Sequence, residues 1–235
     1  HEEILKKYNE EERKKLFILK PLYQRSLIVA AGPIANFILA AIIFIFIYTF
    51  IGKDFTPAVI NEVQNESPAK SAGLQKNDII LEIDDNKVKS ILDVSKFIMM
   101  STSEFIDFKV SRYDQELLFK IKPNTILTED SYGNKVNKRI IGIKLGAYNN
   151  EINHVKLNPI NATFHSLKEV WFVSTSSLKY LGSIISGSGD SSQLGGPIRI
   201  AKISGQVAEF GFIPFLSMMA YISISLGLIN LFPIP

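Results

Sequence analysis

The sequence predicts a membrane α-helical protein with a small α/β domain inserted between two spans. Three observations carry this. Residues 26–52 contain no charged side chain, and neither do residues 210–235. Crossing a bilayer core takes about 20 predominantly apolar residues, and each run is long enough. Between them, residues 57–146 alternate apolar and polar positions with the period of strands, broken by short helical patterns. Two uncharged runs of that length argue against buried helices of a soluble protein.

The elements follow in order. Residues 1–25 are a charged segment expected on the cytoplasmic side. Lys6, Lys7, Arg13, Lys14, Lys15, Lys20 and Arg25 precede the first span, and basic residues beside a span favour the cytoplasm. The first span, 26–52, then runs outward, the inserted domain lies outside, and the second span, 210–235, returns. Within 57–146, Val59 and Val63 mark a strand. Ser67-Pro68 starts a helical turn as N-cap and first helical residue, and Gly73 closes it. Ile79, Leu81 and Ile83 alternate as a strand, followed by turn chemistry at Asp84-Asp85-Asn86. Val94, Phe97, Ile98 and Ser101 mark one helix face. Ile106, Phe108 and Val110 pair with Leu117, Phe119 and Ile121 as a hairpin around Asp114. A polar loop with Gly133 and Asn134 leads to a last strand at 140–145. Residues 159–186 read as an amphipathic helix lying on the membrane or against the domain. Lys168, Glu169 and Lys179 make a third span costly. Residues 187–209 read as a linker, flexible at Ser186-Gly187-Ser188-Gly189. The glycines there do not continue as a phosphate-binding loop.

Composition excludes several classes. There is no cysteine, hence no disulfide framework or thiolate metal site. A net charge of +3 without a basic, aromatic-interleaved stripe does not fit nucleic acid. The three histidines are His1, His154 and His165. His1-Glu2-Glu3-Ile4-Leu5 begins like a zinc-protease helix but has Leu5 where the second histidine belongs. His154 and His165 are isolated, so no residue of the chain is assigned as a metal ligand or as catalytic. The start at His1 and the end inside an uncharged run lead us to expect a piece of a longer protein.

Polar and helix-breaking residues stand inside both spans: Gly32, Pro33 and Asn36 in the first, Asn230, Pro233 and Pro235 in the second. A side-chain amide in hydrocarbon needs a partner, and broken backbone there must face protein or a wet cavity. Alternatively, Pro33 starts a helix, Pro233 ends one, and both asparagines sit at the interface.

The first of these segments, Gly32-Pro33-Ile34-Ala35-Asn36-Phe37, resembles the Gly-Pro-x-x-Asn motif of the site-2 family of intramembrane zinc metalloproteases. Asn230-Leu231-Phe232-Pro233-Ile234-Pro235 resembles the start of that family's Asn-x-x-Pro-x-Pro-x-Leu-Asp-Gly motif. Ser67-Pro68-Ala69-Lys70-Ser71-Ala72-Gly73-Leu74 through Asn77-Asp78-Ile79-Ile80 resembles the signature of bacterial PDZ domains, with Asn77 where glycine is usual. Leu194-Gly195-Gly196-Pro197 through Lys202 is similar to the segment before the last catalytic span. The order matches the regulator-of-sigma-E protease type, here with one PDZ domain.

This resemblance implies a small β-barrel or sandwich with two helices at 57–146, binding peptide C-termini along Ile141, Gly142, Ile143, Lys144 and Leu145. It implies an active-site wall of Gly32, Pro33, Asn36, Asn230, Pro233 and Pro235. It implies zinc in the full-length protein, held by a His-Glu-x-x-His helix before His1 and an aspartate past Pro235, and none bound by this chain alone, which is then inactive by itself. Expected partners are transmembrane protein substrates such as anti-sigma factors, peptide C-termini and the lipid bilayer. The expected location is the bacterial inner membrane, multi-pass, with the PDZ domain on the periplasmic side. The alternative function is a non-catalytic membrane adaptor that binds peptides.

Overall fold

The computed structural model describes residues 9, 12, 15–129, 135–148, 151–187 and 197–231. A single 3-10 turn, Phe17–Leu19, precedes helix α1, Leu22–Phe46, which continues as a π-helical segment, Ile47–Ile51. The last helix, α6, is Phe212–Leu231. Among the described residues, two helices are long and apolar enough to cross a membrane, Leu22–Ile51 and Phe212–Leu231. Only 33% and 28% of their apolar windows are buried. Leu27, Val29, Ile38 and Ile42 on α1 and Leu226 and Ile229 on α6 face outward. A core helix of a soluble protein would bury them.

The two helices meet through small residues. Ala40 and Ala220 are fully buried, and a Cβ on Gly227 would lie 3.1 Å from the Phe37 ring. The Ser223 hydroxyl donates to the Asn36 carbonyl oxygen at 2.8 Å. Small residues and an interhelical hydroxyl bond are what holds helices together where no hydrophobic drive exists between them.

Between these two helices, a ribbon of β1, Lys53–Asp54, and β10, His154–Val155, ties the end of α1 to the start of α4, Pro159–Ile185. The inserted domain lies within this ribbon. Its strands are β2, Ala58–Val63; β3, Ile79–Ile83; β4, Asn86–Lys87; β5, Ile106–Arg112; β6, Gln115–Ile121; and β9, Ile143–Ala147. They form one sheet in the order β6-β5-β3-β2-β9, with β4 beside β3. Two helices cover it: α2, Pro68–Ala72, and α3, Ile91–Met100. Each is capped as its sequence dictates. Ser67 accepts from the Lys70 N–H, and Gly73 closes α2 at φ +95. Ser90 and Asp93 form a reciprocal capping box on α3. Ile60, Leu74, Ile83, Ile106, Phe108 and Val110 make the core, each at most 1% exposed.

Asn77 has φ +72. The turn requires a left-handed residue, and asparagine tolerates that region, so its stand-in for glycine costs little. It delivers Asp78, fully buried, to the Arg112 guanidinium through a two-pronged pair at 2.7 and 2.8 Å.

Four expectations are corrected. The sheet is open rather than a closed barrel: β6 and β9 are its edges and do not meet. The polar loop before the last strand is largely a hairpin, β7, Asn124–Glu129, with β8, Lys135–Ile140. The last strand is therefore interrupted, since Ile140 ends β8 and the chain turns at Gly142, φ +77, before β9 begins at Ile143. Part of the linker is helix α5, Pro197–Glu209. Proline suits its first position, and Ile200, Ile203 and Val207 recur at helical spacing.

Candidate functional site

Two places could carry function. The first is where α1 and α6 converge. Pro33 neither starts nor breaks a helix; it stands inside α1. Its ring removes one backbone rung, which is tolerated where neighbouring groups compensate. Pro33 and Asn230 line one cleft of about 390 Å³ with Phe17, Arg25, Val29 and Leu231. Arg25 brings a positive charge to this mouth, and its Nε has no hydrogen-bond partner among the described residues. Asn36 is half-buried about one turn deeper, and its carbonyl is the acceptor for Ser223. A Cβ on Gly32 would meet nothing within 4 Å, so that glycine leaves open space beside Pro33. The structure thus brings Pro33 and Asn230 together and leaves Asn36 and Gly32 on the same helix beside them. Pro233 and Pro235 lie outside the described residues.

Among the described residues no group of three His, Cys, Asp or Glu is placed to hold a metal ion. His154 is exposed on β10. His165 packs edge-on against Phe55 at 5.5 Å and beside Phe164 at 6.1 Å. Burial first, then the positive Lys53, Lys89 and Lys168, pushes the His165 pKa down. A neutral imidazole wedged between rings is a packing group. These residues do not fit a zinc site.

The second place is a groove of about 180 Å³ between α3 and β9. Val94, Ser95, Ile98 and Met99 form its helical wall; Ile141, Gly142, Ile143 and Leu145 form the other, with Gln64, Lys138 and Arg139 at its rim. Lys144, between the lining residues, turns away and pairs with Glu62 at 2.8 Å. β9 pairs with β2 along one edge only, so its other edge faces the groove. The turn at its head is held by two backbone bonds: Ala69 N–H donates to Ile141 O, and Gln64 N–H donates to Gly142 O, each at 2.9 Å. A Cβ on Gly142 would stand 2.3 Å from Ser67 Cβ. Arg139 donates to the Ser101 and Ser103 carbonyls and so fastens β8 to the end of α3. The sequence did not show this contact, because it joins segments far apart in the chain.

A polar junction also escaped the sequence reading. Glu169 of α4, read there only as a charge against spanning, is buried and accepts from Lys96 of α3 and Tyr221 of α6.

A protein of Agrobacterium fabrum, provisionally named a zinc metalloprotease, is 35% identical over 96% of this chain and 60% of its own length. One of Rickettsia conorii with the same provisional name is 33% identical over 99% of this chain and 64% of its own. The metalloprotease MmpA of Caulobacter vibrioides is 28% identical over 99% of this chain and 61% of its own. The chain thus spans about 60% of the length of the first of these relatives. Two solved PDZ domains of SdrC-like proteins align with part of it, each with a TM-score of 0.31. That of Listeria monocytogenes is 25% identical over 39% of this chain and 88% of its own, and that of Listeria innocua is 22% identical over 40% and 99%. The model of peptidase family M50 matches residues 5–235, and the chain belongs to that family.

Proposed function

We propose that the chain forms part of a membrane-embedded zinc metalloprotease that cuts transmembrane proteins. The observation that carries this is the family match over 5–235 together with the meeting of Pro33 and Asn230 in one cleft between two apolar helices. Zinc would supply a polarised water, held by residues other than the described ones. The chain's own share is the wall. The Asn230 amide would hold a substrate backbone extended or donate to the developing oxyanion. Asn36, fixed by Ser223, would set the depth at which α1 presents Pro33. The basic segment 1–25 would lie in the cytoplasm and the inserted domain outside, at the inner membrane of a bacterium.

The inserted domain would bind peptides. An exposed strand edge beside a helix accepts an extended peptide as an added strand, and Gly142 and Ile143 would present backbone N–H groups to a terminal carboxylate. Apolar Ile98, Met99 and Ile141 favour an apolar last residue. After a first cut of a membrane substrate, its new C-terminus is such a peptide. A non-catalytic adaptor would keep this groove and lose the cutting.

Asn230→Ala in the complete metalloprotease tests the wall. Turnover of a single-span substrate falls about 10²-fold, the size expected for a lost oxyanion donor, with zinc content and expression retained. Wild-type turnover would leave Asn230 as a helix-end residue only.

A further inference from the structure

Helix α3 has two working faces. Val94, Ser95, Ile98 and Met99 line the groove. Lys96 and Phe97, on the opposite side at helical spacing, meet α4. The Phe97 and Phe172 rings stand edge to face at 5.1 Å, and the Lys96 ammonium lies 4.5 Å from the Phe172 centroid. That ammonium donates to Glu169 Oε1. The Tyr221 hydroxyl donates to the same oxygen at 3.2 Å, and the Tyr221 ring stands edge-on to Phe44 of α1 at 5.3 Å. Glu169 is 8% exposed. One buried carboxylate therefore joins the groove helix, α4 and α6, and Tyr221 in turn packs on α1. A buried charge has few alternative partners, so a shift of Lys96 must be followed by Glu169 or cost the pair. Asn230 lies on the same helix as Tyr221, roughly two and a half turns further.

We propose that Glu169 is a positioning residue that couples peptide occupancy of the α3–β9 groove to the placement of α6, and through it of Asn230. The coupling rests on the groove reading given above. A peptide wedged against Val94 and Ile98 moves α3 as a unit, because a capped three-turn helix does not bend under a side-chain contact. Lys96 then carries Glu169, and Tyr221 follows through the shared oxygen. Coupling of this kind is reciprocal, so the position of α6 also sets how well the groove binds.

The test uses the 235-residue chain in phospholipid nanodiscs. Amide hydrogen exchange is followed in 165–176 and 213–224, with and without a short peptide that ends in an apolar residue and a free carboxylate. Saturating peptide changes exchange by about fivefold in both segments of the wild type. Tyr221→Phe keeps the change in 165–176 and loses it in 213–224. Glu169→Gln loses the change in 213–224 while peptide still binds. A merely structural Glu169 would alter baseline exchange but leave the response to peptide intact. Binding without any response in 213–224, or a response in 213–224 equal to the wild type's in either variant, overturns the coupling. Failure of the peptide to bind overturns the groove reading instead. The clasp is then judged on Lys96→Met without peptide: exchange in 213–224 rises about fivefold if Glu169 holds α6, and unchanged exchange there overturns the clasp as well.

Discussion

Asp78 and Arg112 show how single residues set this structure. Asp78 is fully buried and takes both prongs of Arg112, whose side chain is 19% exposed, plus the Gln75 N–H at 2.8 Å. Arg112 also donates to the Gly73 carbonyl at 2.8 Å, which locks the end of α2. Arg112→Ala leaves a buried, unpaired carboxylate and should cost about 3 kcal/mol. Chemical denaturation of the chain in detergent, read at the inserted domain, measures it; a loss under about 1 kcal/mol would show that the pair is solvent-screened. His165 gives a second residue-scale expectation. Its folded pKa is lowered by burial and by Lys53, Lys89 and Lys168. Below about pH 6.5 the unfolded imidazole takes up a proton that the folded one resists. Its contribution is therefore complete above about pH 6.5 and is lost as pH falls toward the folded value. His165→Gln should flatten the decline in melting temperature as pH falls below about 6.5. An unchanged slope would mean that other groups govern it. Asp78 stood in the sequence inside a recognisable signature, but Arg112, far along the chain, had no local mark of being its partner.

At the scale of elements, caps and alternation were legible and the hairpin β7–β8 was not. Ser67, Pro68 and Gly73 announce helix ends through their own chemistry. Ile106, Phe108 and Val110 announce a strand by alternation. Residues 124–140 alternate weakly and present Leu127 outward, so their pairing has no strong apolar face to reveal it. Missing that hairpin displaced the start of the groove strand. The turn at Gly142 has an element-scale consequence. Its φ of +77 and the 2.3 Å approach to Ser67 leave no room for a methyl group. Gly142→Ala should lower domain stability by roughly 2 kcal/mol, and peptide titration should show weakened binding at 140–143. Gly182→Ala in α4 is the control: a Cβ there meets nothing within 4 Å, and stability should hold or rise. Equal effects at both glycines would contradict the assigned role of the turn.

At the scale of the whole molecule, the two apolar helices, the open-edged domain and α4 between them form one connected body. Two long apolar helices and the segments at Pro33 and Asn230 were visible in the sequence, because length and lack of charge are local properties. The apposition of Pro33 with Asn230 and the junction at Glu169 were not, because nothing nearby in sequence distinguishes a paired buried carboxylate from an exposed one. The proposed function places this body within a zinc-dependent protease that would act on membrane-embedded chains. The most direct measurement is cleavage of a single-span substrate by the complete metalloprotease in phospholipid vesicles, before chelation, after it, and after zinc is returned. The account predicts a cut within the substrate's span that disappears with the metal and recovers with zinc. Cleavage that survives complete removal of zinc, or a zinc-loaded protein that binds peptide C-termini and cuts nothing, would contradict it.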